Sequence, residues 1–224
     1  MDWPWIFLTS LVIYIILLVL YRILDFEEDV GDTNDSMAGK SVIVTGPTSG
    51  IGRQIALNMA ARGASVTLAC RDVNKGKELA SYIRSHTGNK YLDVIQLDLE
   101  DFDTIRAFVN RIQRCHCLIN NAGIISGDKI MRDGVELSMR TNHLGPFLLT
   151  NLLLPILIET SEKFHTECRI VFVGSRLERR ASGGGEELTW MREGCSGKYD
   201  KWTAYSNSKL CSLLTAAELN RWGV

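Results

Sequence analysis

An excess of charge of one sign is missing from this chain of 224 residues: 25 Lys and Arg stand against 26 Asp and Glu, for a net charge of -1. So even a balance gives no electrostatic case for a nucleic-acid partner. Metal-binding and redox spacings are missing as well. The six cysteines fall at 70, 115, 117, 168, 195 and 211 with no C-x-x-C pair, and Cys115-His116-Cys117 is too tight for two ligands of one tetrahedral ion. No metal site is expected, and the thiols read as free groups in a reducing compartment. There is no internal repeat, no low-complexity tract, and no G-K-S or G-K-T to close a phosphate-transfer loop. Apolar residues, by contrast, make up 46% of the chain, enough for a sizeable core in one large domain or two small ones.

Part of that apolar content forms one run. Trp3 to Tyr21 is nineteen residues without a charge, and a helix of that length reaches about 28 Å, close to the thickness of a bilayer's hydrocarbon core. Trp3, Trp5 and Tyr21 lie near its ends, where interfacial aromatics belong. Asp2 replaces the basic start of a signal peptide and no small-x-small cleavage site follows, so residues 1–24 are expected to be an uncleaved membrane anchor. Arg22 on the C-terminal side turns the following domain towards the cytoplasm. Residues 25–37 read as an acidic linker, and residues 38–224 as the globular domain. The linker holds Asn34-Asp35-Ser36, a formal glycosylation acceptor; a glycan there would place the domain in the lumen instead.

The globular part is organised around Ser41 to Gly52, SVIVTGPTSGIG. A β-branched run (Val42, Ile43, Val44) leads into a turn holding Gly46, Thr48, Ser49 and Gly50, and Ile51-Gly52 heads an apolar-periodic helix. Unpaired N–H groups and a partial positive charge at a helix N-terminus, approached through small residues, suit a pyrophosphate. The spacing is G-x-x-x-G-x-G, not the G-x-G-x-x-G of the general dinucleotide fingerprint. Further on, SVTLAC (65–70), DVIQL (93–97), CLIN (117–120) and RIVFV (169–173) read as strands. Helices are expected over Asn74–Ser85, Phe102–Arg114, Asp133–Pro155 with a kink near Gly145-Pro146, and Thr203–Arg221. Strands regularly followed by helices predict an α/β fold, a doubly wound parallel sheet, with ligands beyond the carboxyl ends of its strands.

Candidate residues stand at those ends. Arg71, first after the second strand, would pair a ribose 2′-phosphate and so favours NADP, whereas Asp72 beside it would suit a 2′-hydroxyl. Asp98 ends the third strand and would take an adenine amino proton or cap the next helix. Asn120-Asn121-Ala122-Gly123 allows a close backbone approach, and Asn142, inside the long helix, needs a partner such as a water. Ser175 follows the fifth strand. Tyr205 and Lys209 lie four apart on the last helix, and a cation at that range favours the phenolate that a general acid/base requires.

TGxxxGIG at Thr45–Gly52, NNAG at Asn120–Gly123 and YxxxK at Tyr205–Lys209, in register, resemble the short-chain dehydrogenase/reductase family. The apolar N-terminus, ACRD at 69–72 and TNHLGPFLLT at 141–150 are similar to its membrane-anchored, retinol dehydrogenase-like branch. The resemblance implies a Rossmann-type sheet of order 3-2-1-4-5, hydride transfer between NADP and a lipophilic alcohol or carbonyl, and a single-pass protein of the endoplasmic reticulum facing the cytosol. It implies Tyr205 as acid/base, Lys209 as the residue that lowers its pKa and holds the nicotinamide ribose, Ser175 as the group that orients the substrate oxygen, and Asn142 as the holder of a relay water. Gly46, Thr48, Ser49, Gly50, Ile51, Gly52, Arg71, Asp98, Asn121, Ala122 and Gly123 would bind the cofactor together with Tyr205 and Lys209. Two departures stand out: a longer stretch between Ser175 and Tyr205, with Arg179, Arg180 and Gly183-Gly184-Gly185, and a chain end at Val224 where the family continues into two more strands. A C-terminally truncated form is therefore expected, with an exposed sheet edge that leaves a homo-oligomer open. The alternative is an inactive, membrane-tethered nucleotide-binding or interaction protein.

Overall fold

The structure, a computed structural model, describes Tyr14, residues 36–181 and residues 199–223. Apart from Tyr14 the expected anchor lies outside the described residues, as does the Gly183-Gly184-Gly185 run. Contacts divide the chain into Met1–Asp35 and Ser36–Val224, and the second unit carries everything that follows.

Strand β1 (Ser41–Thr45) leads through the glycine turn into helix α1 (Gly50–Ala61). Then come β2 (Ser65–Cys70), α2 (Val73–Thr87), β3 (Leu92–Gln96), α3 (Phe102–Val109) and β4 (Cys117–Asn120). A hairpin of β5 (Met131–Arg132) and β6 (Val135–Glu136) opens into α4 (Leu137–Met139), a π-helical turn at Arg140–Leu144 and α5 (Gly145–Phe164). Last are β7 (Arg169–Phe172), a 3-10 turn at Arg176–Arg180 and α6 (Lys201–Arg221).

Five strands form one parallel sheet in the order β3-β2-β1-β4-β7, so the long strands follow the expected 3-2-1-4-5. Side chains alternate across a strand, so Val42 and Val44 pack with Ala56, Ala60, Leu79 and Ile83 under α1 and α2. Ile43 points the other way, to Leu118, Ile105, Phe108, Leu149 and Leu153 under α3 and α5. Every residue of β1 is buried, which makes it the central strand of a sheet covered on both faces.

Leu137–Phe164 is the one helix, among the described residues, long and apolar enough to cross a membrane. Its Leu149, Leu153 and Leu157 are buried against the sheet, so the apolarity serves the core. This helix differs from expectation at both ends. Asp133 and Gly134, with φ of 49° and 76°, instead form the two-residue turn between β5 and β6. Pro146 sits in the first turn of α5, where a missing N–H costs little, and Pro155 is carried inside a helix that runs on to Phe164. Helix α3 also stops early, at Val109, because the N–H groups of Arg111 and Ile112 reach back only three residues, to Phe108 and Val109.

Candidate active site

Strand order reverses between β1 and β4, and a cleft of about 630 Å³ opens at their carboxyl ends. Its floor is the glycine turn. Gly46 has φ of +63°, and a Cβ there would press on the Cα of Ala122 at 2.9 Å, so the turn and the segment after β4 touch without side chains between them. A Cβ on Gly52 would occupy the space of the Asn121 amide and the Gly46 carbonyl.

Thr45 and Asn121 lock this floor. The Thr45 hydroxyl accepts the N–H groups of Asn121 and Ala122, both at 3.0 Å, and donates to the Ile119 carbonyl at 3.4 Å. In return Asn121 Nδ2 donates to the carbonyls of Thr45 (2.9 Å) and Gly46 (3.2 Å). Ser49, the N-cap of α1, makes no side-chain capping bond, and the first turn carries no acidic residue. The amides at the head of α1 therefore carry no side-chain cap, in contrast with α2, α3 and α6, which Asp72, Asp101 and Asp200 cap.

At the second strand, Asp72 is engaged. Its Oδ1 accepts the N–H groups of Asn74 (3.0 Å) and Lys75 (3.1 Å), and Lys75 Nζ lies 3.9 Å from Oδ2. Arg71 projects into solvent and donates to Glu100 at 3.2 Å. Asp98 does not cap α3, which Asp101 does; the Asp98 carboxylate instead accepts the Glu100 N–H at 3.0 Å, and it stays on the cleft wall.

At the other end are Tyr205 and Lys209. Lys209 Nζ lies 5.8 Å from the centre of the Tyr205 ring and donates to the Val173 carbonyl at 2.9 Å. Burial lowers the pKa of this lysine from its ordinary value, and the Glu178 carboxylate opposes the shift. Asn142 sits in the π turn behind this pair. Its amide is satisfied by protein groups: Oδ1 accepts the Ile124 N–H at 2.7 Å, and Nδ2 donates to the Ile124 carbonyl (2.8 Å) and to Ser208 Oγ (3.0 Å). Ser175 starts the 3-10 turn; its hydroxyl oxygen accepts the Leu177 N–H at 3.2 Å while its own N–H donates to Glu178 at 3.1 Å.

Gly46, Thr48, Ser49, Gly50, Ile51, Gly52, Arg71, Asp98, Asn121, Ala122, Gly123, Tyr205 and Lys209 thus line one cleft, whereas Asn142 and Ser175 do not. Sequence reasoning missed Thr45 as a clamp, Glu100 as the partner of Arg71, and Ser208, whose hydroxyl also donates to the Tyr205 carbonyl at 2.7 Å. The Asp133-Gly134 turn did carry a signal, the D-G dipeptide between two short runs. Cys70, Cys115, Cys117, Cys168 and Cys211 are free thiols, and burial pushes Cys117 up to about 11.

Residues 40–185 match the family model for short chain dehydrogenase. The chain is 40% identical over 188 residues to dehydrogenase/reductase SDR family member 13 of Bos taurus, covering 82% of this chain and 48% of that protein. It is 40% identical over 199 residues to retinol dehydrogenase 12 of Mus musculus, covering 87% of this chain and 60% of that one. A crystal structure of a short chain dehydrogenase from Escherichia coli CFT073 complexed with NADPH is similar at 25% identity and a TM-score of 0.63, covering 83% of this chain and 72% of that chain. This chain therefore spans about half to three fifths of the length of these two curated relatives.

Proposed function

Since the chain belongs to the short-chain dehydrogenase family, we propose that it is an NADP-dependent oxidoreductase acting on a lipophilic alcohol or carbonyl, retinoid- or steroid-like. The observation that carries this reading is the Lys209 ammonium beside the Tyr205 ring at one end of a cleft whose other end is the uncapped head of α1. The nicotinamide cofactor, when bound, supplies the hydride; the chain holds it and moves the proton. Gly46 and Gly52 let the turn close on Ala122 and Asn121, Gly50 faces open space, and the uncapped amides of α1 would hold the pyrophosphate there. Arg71 takes the 2′-phosphate, a choice supported by Asp72, whose carboxylate is held by its own helix. Asp98, on the cleft wall, would hold the adenine amino group, and Gly123, beside Lys209, would line the nicotinamide side. The Tyr205 hydroxyl gives its proton to a carbonyl oxygen, or takes it from an alcohol, with Lys209 stabilising the phenolate left behind. Asn142 and Ser208 hold the loop after β4 to α6, and so set the distance between the two ends. Ser175 orients the substrate oxygen once it turns from its cap.

That cap favours a second reading, nucleotide binding without turnover, in which Ser175 stays engaged with Leu177. One experiment separates the two: NADPH oxidation by the purified chain with a hydrophobic aldehyde such as retinal. The enzyme reading expects alcohol product, reduced about 10²- to 10⁴-fold in Tyr205→Phe with NADPH binding kept. NADPH binding with no Tyr205-dependent product contradicts it. We assign residues 1–24 to a membrane anchor on the strength of the uncharged run Trp3–Tyr21, its domain in the cytosol on the strength of Arg22, and the endoplasmic reticulum on the resemblance to the retinol dehydrogenase-like branch. A glycan on Asn34 in cells would contradict that orientation.

A further inference from the structure

The corner of the cleft beyond β2 holds the cations Arg71 and Lys75 with the carboxylates Asp72, Asp98 and Glu100. Two of these carboxylates are tied to backbone close by: Asp72 caps α2, and Asp98 takes the Glu100 N–H. Glu100 alone reaches across from the end of β3 to a cation of the β2 end, at 3.2 Å from Arg71 Nη1. Its side chain is 21% exposed against 69% for Arg71, so the acid is the fixed partner and the guanidinium the movable one.

We infer that Glu100 is a specificity-determining residue that weakens this chain's preference for a 2′-phosphorylated dinucleotide by competing for Arg71. The inference rests on the proposed role of Arg71. A phosphate monoester carries about -1.5 to -2 charges near neutral pH, so a 2′-phosphate must share or displace the Glu100 bond and tolerate its negative charge alongside. An unphosphorylated ribose has no charge there and leaves the pair intact. Glu100 therefore acts on one cofactor and spares the other. Because Arg71 is largely exposed, the influence of the pair is moderate and falls with salt.

The test is calorimetric titration of the full chain with NADPH and NADH, in wild type, Glu100→Gln and Arg71→Ala, with adenosine 2′,5′-bisphosphate and 5′-AMP as probes of this corner alone. Glu100→Gln is expected to tighten NADPH and the bisphosphate about fivefold and to leave NADH and 5′-AMP within about twofold. The gain shrinks at about 0.5 M salt, where the Debye length is a few Å. An equal change for both cofactors, no change, or weaker NADPH overturns the inference. The parallel variant keeps two failures apart. If Arg71→Ala selectively weakens NADPH while Glu100→Gln does nothing, only the role of Glu100 falls. If wild type binds NADPH and NADH alike and Arg71→Ala alters neither, the role of Arg71 falls and that of Glu100 with it.

Discussion

The turn after β1 and the turn after β7 stand at the same edge of one sheet, yet they are held in opposite ways. After β1, Gly46 and the Asn121–Ala122 backbone are joined by bonds that run between residues 75 to 77 positions apart, through a Thr45 that is fully buried. After β7, Ser175 is held by bonds to residues two and three positions on, and the strand before it alternates between exposed and half-buried. The chain just before it is tied to the rest at Val173, whose N–H donates to the Asn120 carbonyl at 3.0 Å and whose carbonyl accepts from Lys209 Nζ of α6 at 2.9 Å. The first turn is therefore set by the packed core and cannot move without it. On the proposed function, cofactor binding would fall to the rigid turn and substrate orientation to one that a local rearrangement can release.

That contrast can be broken by substitution. Gly46→Ala forces a Cβ against Ala122 at a φ of +63°, and it is expected to weaken NADPH binding by more than about 30-fold in a protein that still folds. Equal binding would show that the turn adapts as freely as the second one. Asn121→Ala removes the bonds to the Thr45 and Gly46 carbonyls, and about 1–3 kcal/mol of stability should go with them in chemical denaturation. A loss below about 0.5 kcal/mol would mean that Thr45 holds the floor alone. At the other turn, Glu178→Gln keeps a capping-box side chain, and a stability change under about 0.5 kcal/mol is expected.

A third contact sharpens the comparison, because it anchors α6 by buried chemistry. The Tyr199 hydroxyl donates to Glu136, 2% exposed, at 2.9 Å, and its pKa is pushed up to about 12 by burial first and then by the Glu136 hydrogen bond and charge. A raised folded pKa means that this stabilisation is full below the unfolded value near 10 and disappears between about pH 10 and 12. Tyr199→Phe should cost about 1–3 kcal/mol at neutral pH and flatten that alkaline decline, which thermal melts across the range would record. An unchanged alkaline slope in the variant would remove Tyr199 from the anchoring of α6.

Sequence reading did best where residue type alone dictates chemistry. Glycines before a helix, and a tyrosine four residues from a lysine, carry their geometry in their spacing, and the structure places both on one cleft. It did worst where partners are distant. Nothing near Arg71 in the chain points to Glu100, and nothing near Asn142 points to Ile124 and Ser208, because those contacts exist only once β3, β4 and α6 are assembled. Asp98 shows the same limit at short range: two aspartates precede α3, and only the folded turn selects Asp101 as its cap.

The most direct measurement is calorimetric titration of the folded 224-residue chain with NADPH, beside Gly46→Ala. The expected result is one site per chain with a Kd on the order of micromolar, lost in the variant while circular dichroism stays unchanged. No binding by the folded wild-type chain, or the same affinity in Gly46→Ala, would contradict the assignment of this cleft as a dinucleotide site.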